Sequence, residues 1–393
     1  MEKHDVLVVG GGLVGCAAAW HLAEAGASVL VVDGGDFGMG ASGQNAGSLH
    51  FQIERRFLEQ GDALARQAEQ TIALSRIAIE DWRGLGAALD ADLHVVMEGG
   101  FMVAETPDQV ALLEHKVARE VAEGLRMRLL DGDEARRIAP YLSPHIVAAA
   151  FAPDEGHADS RAVTPAFAAA ARRAGASLRS RTRLGALARV RGGFEARGDG
   201  LSVRADQVLV AAGAWTPQVC ALANLHAPLY PVALLMNATE RTQRPRIPHL
   251  IQHVGRRLSM KQTHAGNILI GGGWPARLAL AADGGFDPGT RPAMIEESLA
   301  GNLRAAVDVV PDVASLNLLR SWTGVTAVSG DQLPVVGEVP RMRGFWIAGG
   351  GSAFTLGPSF ARLVARAMRG TATPELDFVS PARFDHLNSF MGQ

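Results

Sequence analysis

Apolar positions in this chain change their spacing several times, and each change marks an element. Val6, Leu7, Val8 and Val9 form an unbroken apolar run that ends at Gly10, as in a strand buried on both faces. Gly12 and Gly15 follow, and Ala17, Ala18, Ala19 and Leu22 recur at helical spacing. A second apolar run over 28–32 stops at Asp33. The opening of the chain therefore predicts strand, glycine turn, helix, strand. Helical periodicity returns from about residue 53 to 85, interrupted at Gly61, and again over 107–123. Short strands are predicted over 94–97 and 100–103, and a helix of Ala, Phe and Arg ends at Gly175. Alternating stretches over 177–180, 184–190, 194–197 and 201–204 lead into QVLVAAGAW, an apolar strand broken by Gly213. Strands over 229–238, 257–262 and 267–271, with a helix over 292–307, form a separate layer. The chain then finishes with DQLPVVG, the strand GFWIAGG, a glycine loop and a helix over 358–368.

The glycine turn has a chemical reading. Gly10 permits the tight turn, Gly12 lets a pyrophosphate approach the backbone, and Gly15 lets the helix pack closely on the strand. Asp33, about 20 residues on, is an acceptor for both hydroxyls of an adenosine ribose. The following GGDFGMGASGQNAGSL carries Gly38, Gly40, Gly43 and Gly47 among small polar residues. Such a loop wraps a bulky cofactor with backbone N–H groups and the Ser42 hydroxyl.

Composition narrows the ligand. A chain of 393 residues can bury a large core, and its size suits two interleaved domains. With 38 Lys+Arg against 40 Asp+Glu, nothing global favours nucleic acid or a membrane surface, so a small molecule is expected. Eight arginines between Arg172 and Arg197 spread over a helix and alternating strands, which reads as a solvated face. Cys16 and Cys220 lie far apart, without zinc or cluster spacing, so the chain carries no iron-sulfur cluster of its own. Asp131, Asp133 and Glu134 read as capping charges, and no metal site is expected. No basic segment precedes the first apolar run, and no later run reaches membrane-span length; the expected compartment is the cytoplasm.

Taken in order, GGGLVG with Asp33, the GASGQNAG loop, AAGAW at 211–215, DQLPVVG and GGGSAFTLGPSFARLVA resemble the D-amino-acid-oxidase-like (DAO) superfamily of FAD enzymes over nearly the whole length. The resemblance implies an α/β (α+β) fold with a discontinuous, Rossmann-like FAD-binding domain of the glutathione-reductase type and an antiparallel-sheet substrate domain. The expected boundaries are 1–85, 146–215 and 318–393 for the first, and 86–145 and 216–317 for the second. It further implies that Gly10, Gly12, Leu13, Val14 and Gly15 face the pyrophosphate, while Asp33 and Gly34 take the ribose. Ser42, Gln44, Asn45, Ala46 and Gly47 would line the ribityl chain and pyrimidine side. Leu184 would hold the adenine, and Ala212, Gly213 and Trp215 would lie against the cofactor's middle. Gly350, Gly351, Ser352, Ala353, Phe354, Thr355 and Leu356 would meet the flavin C2 carbonyl, with the next helix directing its positive end there, worth about 0.3 to 2 kcal/mol toward an anion.

Members of this superfamily pass a hydride from an amine-bearing carbon to flavin N5, leaving an imine. In glycine-oxidase-like members an arginine before the DGxPxIG motif anchors the substrate carboxylate; the matching residue here is Thr326. This departure points to the flavin subunits of heteromeric sarcosine, opine, proline or hydroxyproline dehydrogenases, whose partner subunits carry further electron-transfer cofactors. His50, Arg55, Lys261 and His253 are the cationic candidates for a moved anchor, with Gln262 and Thr355 as neutral donors; His50 and Lys261 are favoured. Three alternatives stay open: a 2-hydroxy-acid dehydrogenase, a D-amino acid or glycine oxidase, and a relay subunit whose substrate site lies on a partner.

Overall fold

The computed structural model describes residues 1–59, 61–282, 284–287 and 289–385. Two eight-stranded sheets carry the fold. The first runs in the order Val335–Glu338, Phe345–Gly349, Leu201–Val210, Glu2–Val9, Val29–Val32, Ser177–Arg179. From Phe345–Gly349 onward every neighbour is parallel. Parallel strands end on one edge, so the chain leaves Val9, Val32, Val210 and Gly349 at a common line, where such sheets bind ligands. The Leu184–Val190 and Gly193–Gly198 hairpin extends this sheet beside Leu201–Val210.

The helix Leu13–Glu24 is apolar nearly all round and buried nearly all round, because the sheet lies on one side and the helices Ser160–Arg173 and Gly357–Met368 lie on the others. Glycine at position 357 permits this: a Cβ there would lie 2.8 Å from Leu13 Cδ2.

The second sheet has the order Leu318–Ser329, Leu229–Arg241, Asn267–Gly271, Ser259–Gln262, Leu250–His253, Gly100–Ala104, Ala148–Ala152, Arg128–Asp131. Its pairs are antiparallel except Leu250–His253 with Gly100–Ala104. Alternation gives it two different faces. Met260, Ile268 and Ile270 pack with Ala305, Ala306 and Val309 of the helix Glu296–Val309. The opposite face carries Ser259 and Lys261 and looks toward the glycine loops.

Several elements differ from the sequence reading. Ala148–Ala152 and Leu318–Ser329 are hydrogen-bonded into the second sheet, although the expected boundaries put both with the first. The helix expected from about residue 53 to 85 is three helices, Arg55–Leu58, Asp62–Glu69 and Ile72–Leu89. The strand expected over 94–97 is a single bridge from Val96 to His157, and Leu201–Val210 is one strand that does not stop at 204. Asp131 and Glu134 form a capping box, as capping charges should. Among the described residues no helix is long and apolar enough to cross a membrane, and no cluster of three His, Cys, Asp or Glu could hold a metal.

Candidate active site

The glycines of the first turn have separate jobs. Gly10 has φ +117°, and a Cβ on it would overlap the Ala211 carbonyl; a Cβ on Gly15 would overlap the Gly10 carbonyl. Both are demanded by the protein's own packing. Gly12 is different: its Cβ would meet only Ser42 Oγ, at 3.1 Å, so the space above it is open. The helix starting at Leu13 has Gly12 as its N-cap and no side-chain cap, and Leu13 N donates to Ser42 Oγ at 3.0 Å. Val14 and Gly15 follow in this uncapped first turn, where N–H groups await an anion. The cradle therefore fits a pyrophosphate.

Asp33 is half-buried, with Oδ2 accepting from Gly11 N at 2.6 Å and Oδ1 from Gly35 N at 2.7 Å. Each oxygen keeps a lone pair for a ribose hydroxyl. Thr182 N donates to Asp33 O and Arg181 N to Gly35 O, which lays Arg183 beside Gly34 and brings the strand starting at Leu184 to the same place. Ala212, Gly213 and Trp215 continue from Ala211, and the Trp215 ring would lie 3.6 Å from a Cβ on Gly40.

The GASGQNAG loop folds on itself. Asn45 Nδ2 donates to the Ala41 and Ser42 carbonyls, and its Oδ1 accepts from Gly47 N at 2.6 Å. Gln44 Nε2 donates to Met39 O, and Trp322 Nε1 donates to Gln44 O at 2.8 Å, tying the loop, in which Ala46 follows, to the second sheet. The last glycine loop faces it. Ser352, at φ +56°, donates to Glu54 Oε1 at 2.9 Å and accepts from Arg56, while Gly350 is also left-handed at φ +101°. The Arg56 guanidinium beside Glu54 overcomes burial and holds its carboxyl below the usual range. Thr355 O accepts from Trp82 Nε1, whose ring packs on Phe354, and the Thr355 hydroxyl lies between Ser48 O and His50 N, each at 3.3 Å. Beyond Ala353 and Leu356, the helix Gly357–Met368 also starts without a side-chain cap. Two helix starts without side-chain caps thus lie side by side, with Gly357 against Leu13 and Val14, and both favour negative charge nearby.

Strand register shows what faces these loops. Ser259 pairs with Gln252 and Gly271, and Lys261 with Leu269. On the edge pair, Thr326, Gly324 and Trp322 oppose Val232, Leu234 and Met236, all half-exposed, while the alternate residues Thr323 and Ala327 are buried. A Cβ on Gly324 would lie 2.6 Å from Gln44 Oε1, so this is the loop-facing side. Thr326 is on it and carries no charge. His50 Nε2 lies 3.1 Å from Ser259 Oγ, and burial holds the imidazole below its ordinary pKa. Lys261 is 2% exposed, donates to Ala158 O at 3.0 Å, and is drawn by burial down to about 7.

The remaining sequence candidates have other duties. His253 Nδ1 accepts from Gly255 N and Arg256 N, and its Nε2 faces Glu105 at 3.3 Å. Arg55 pairs with Glu59, and Gln262 bonds Ile247 N and Thr242 O. Sequence reasoning missed a fully buried relay next to His50. Glu155 accepts from Phe51 N, Gln52 N and Gln52 Nε2; Lys116 donates to Gln52 Oε1 and Glu120, and Glu120 accepts from Ile53 N at 2.5 Å. Apart from Lys116 and Glu120, four residues apart on one helix, its partners are about 60 to 100 residues apart, so local spacing does not advertise it.

A glycine cradle at the carboxyl edge of a parallel sheet, an acid after the second strand and an antiparallel sheet facing both loops define a dinucleotide-binding oxidoreductase fold. The chain belongs to the DAO family of FAD dependent oxidoreductases, whose family model matches residues 5–367, and its cofactor is FAD. It is 27% identical over 400 residues to an opine oxidase subunit of Rhizobium meliloti, covering 98% of this chain and 99% of that one. Glycine oxidase of Geobacillus kaustophilus (strain HTA426) is 28% identical over 89% of this chain and 88% of its own. The solved L-proline dehydrogenase from P. horikoshii shares the fold, with a TM-score of 0.86 at 22% identity over 98% of each chain.

Proposed function

We propose that the chain oxidises the CH–NH bond of an amino acid, and that the substrate is a secondary amine of the opine, sarcosine, proline or hydroxyproline type. FAD, when bound, supplies the hydride acceptor and electron store. The protein's part is to hold a neutral amine with its C–H toward the cofactor and to anchor the carboxylate. The observation that carries the reading is the loop-facing wall of the second sheet. Trp322 and Thr326 put no charge there, opposite Met236 and Val232, which suits an uncharged second substituent on nitrogen, while the polar groups gather around His50, Ser259 and Lys261. His50 and Ser259 are the carboxylate donors in this reading. The end-to-end likeness to the Rhizobium meliloti opine oxidase chain supports a heteromeric role, because this chain matches 99% of a protein named as a subunit. Cys16 and Cys220 are both buried with thiols pushed up to about 12, so cluster-borne electron transfer falls to partner subunits, in the cytoplasm.

An anaerobic substrate panel tests this. Opines, sarcosine, proline and hydroxyproline are expected to bleach the flavin, with glycine, D-alanine and 2-hydroxy acids slower by at least an order of magnitude. Fastest bleaching by a 2-hydroxy acid overturns the reading. A lone chain that is yellow yet bleached by no amine, with turnover only in a reconstituted complex, moves the substrate site to a partner.

A further inference from the structure

Lys261 differs from every other deeply buried charge in the site. Glu120 has Lys116 and Glu155 has three donors, whereas Lys261 has the Ala158 carbonyl and no carboxylate within ion-pair distance among the described residues. Its Nζ lies 3.1 Å from where a Cβ on Gly47 would stand. Gly47, at φ +73°, is itself pressed against Ala158, since a Cβ there would overlap the same carbonyl. The amine, the carbonyl and the cofactor loop are one packed unit.

The groups around it supply little counter-charge: burial dominates, and Asp159 attracts the ammonium only from beyond ion-pair distance. His157, from the segment before Ala158, is held down to about 3 by burial and by Lys261. His50 and His264 are lowered too, first by burial, so the three imidazoles are neutral near pH 7. Asp159 bonds Arg161 through both backbone and side chain. A lysine in such surroundings resists its own charge. Near neutral pH its amine is poised to bind a proton as soon as negative charge appears close by.

We propose that Lys261 is a redox-linked proton site, which binds a proton when the FAD beside Gly47 is reduced and releases it on reoxidation. Hydride transfer brings two electrons and one proton to the cofactor site and adds one negative charge there. The Lys261 lone pair then takes a second proton from solvent, forming the ammonium that balances this charge. When a one- or two-electron acceptor on a partner subunit removes the electrons, both protons return to solvent. The proposal rests on the assignment of Gly47 to the FAD cradle, and not on the choice of substrate.

The test needs no substrate. Holoprotein is reduced anaerobically by dithionite with redox dyes, and the midpoint potential is followed from about pH 6 to 9. Wild type is expected to consume two protons per two electrons above about pH 7, and Lys261→Met only one, with a lower potential. Lys261→Arg, with a fixed charge, is expected to consume one proton while keeping a higher potential than Lys261→Met. Equal slopes and potentials for wild type and Lys261→Met overturn the proposal. If Lys261→Met fails to hold FAD, proton uptake by wild type with a pH indicator at pH 8 decides: two protons per reduction support it, one overturns it. Two protons with no amine able to bleach the flavin would refute the proposed substrate class and leave Lys261 standing.

Discussion

His50 Nε2 lies 3.1 Å from Ser259 Oγ, joining the residue just after the strand Ser48–Leu49 to the strand that carries Lys261. His50 follows the short strand Ser48–Leu49 while Ser259 lies in the second sheet, so the pair joins segments 209 residues apart in the chain.

That pair makes the anchor testable. Hydrogen bonds to a charged group contribute about 1.5 to 3 kcal/mol, so His50→Ala is expected to lower kcat/KM for the best amine by roughly 10- to 100-fold. Ser259→Ala should act in the same direction, mainly through KM. Flavin content, read from absorbance after purification, should not change. Equal kcat/KM in all three proteins would remove His50 and Ser259 from the substrate site.

The two glycines of the first turn should fail in different ways. Gly12→Val places its branches in the open space over the helix start, and flavin is expected to be lost while the folded chain survives. Gly15→Ala drives a methyl into the Gly10 carbonyl, and the expected result is a loss of about 3 kcal/mol or more of stability, or no soluble protein. Flavin-to-protein absorbance ratios and thermal unfolding separate these outcomes. A fully flavinylated Gly12→Val would contradict the assigned role of the turn.

This contrast shows what the sequence made legible. Gly10, Gly12, Gly15 and Asp33 could be read because their demands are local: a turn, a close approach, a helix start. Ala148–Ala152 could not, since AAAFA has no strand preference and forms one only between Gly100–Ala104 and Arg128–Asp131. The same holds for Leu250–His253, four residues recruited by their neighbours on either side. Lys261 was legible as a candidate, but its burial without an ion-pair partner depends on Gly47, Ala158 and His157, which the chain order scatters.

Glu155 gives a pH prediction with a definite sign. Burial lifts its carboxyl from 4.5 to about 7 despite the donors from Gln52 and Phe51. The folded chain therefore holds a proton that the unfolded chain has lost over that interval, and stability falls as pH rises through it. Glu155→Gln removes this dependence. Its stability relative to wild type should improve by about 2 to 3 kcal/mol from pH 5 to pH 8, whatever the offset from altered bonds to Phe51 and Gln52. Parallel unfolding curves of the two proteins across that range would show that Glu155 is ionised throughout in the fold.

Lys261 runs the opposite way. Its ordinary pKa of 10.5 is drawn down to about 7 in the fold, so between those values the unfolded chain carries a proton that the folded chain does not. Oxidised wild type should gain about 2 kcal/mol of stability from pH 7 to pH 9, and Lys261→Met should not gain it. At pH 7 the variant should melt higher, since a thioether fills the site without a charge to desolvate. A residue kept at a cost to the oxidised state makes sense if the reduced state recovers that cost. The difference in melting temperature between the two proteins should therefore shrink or reverse when the flavin is reduced anaerobically before heating. A difference that ignores both pH and redox state would mean that Lys261 is merely packed there.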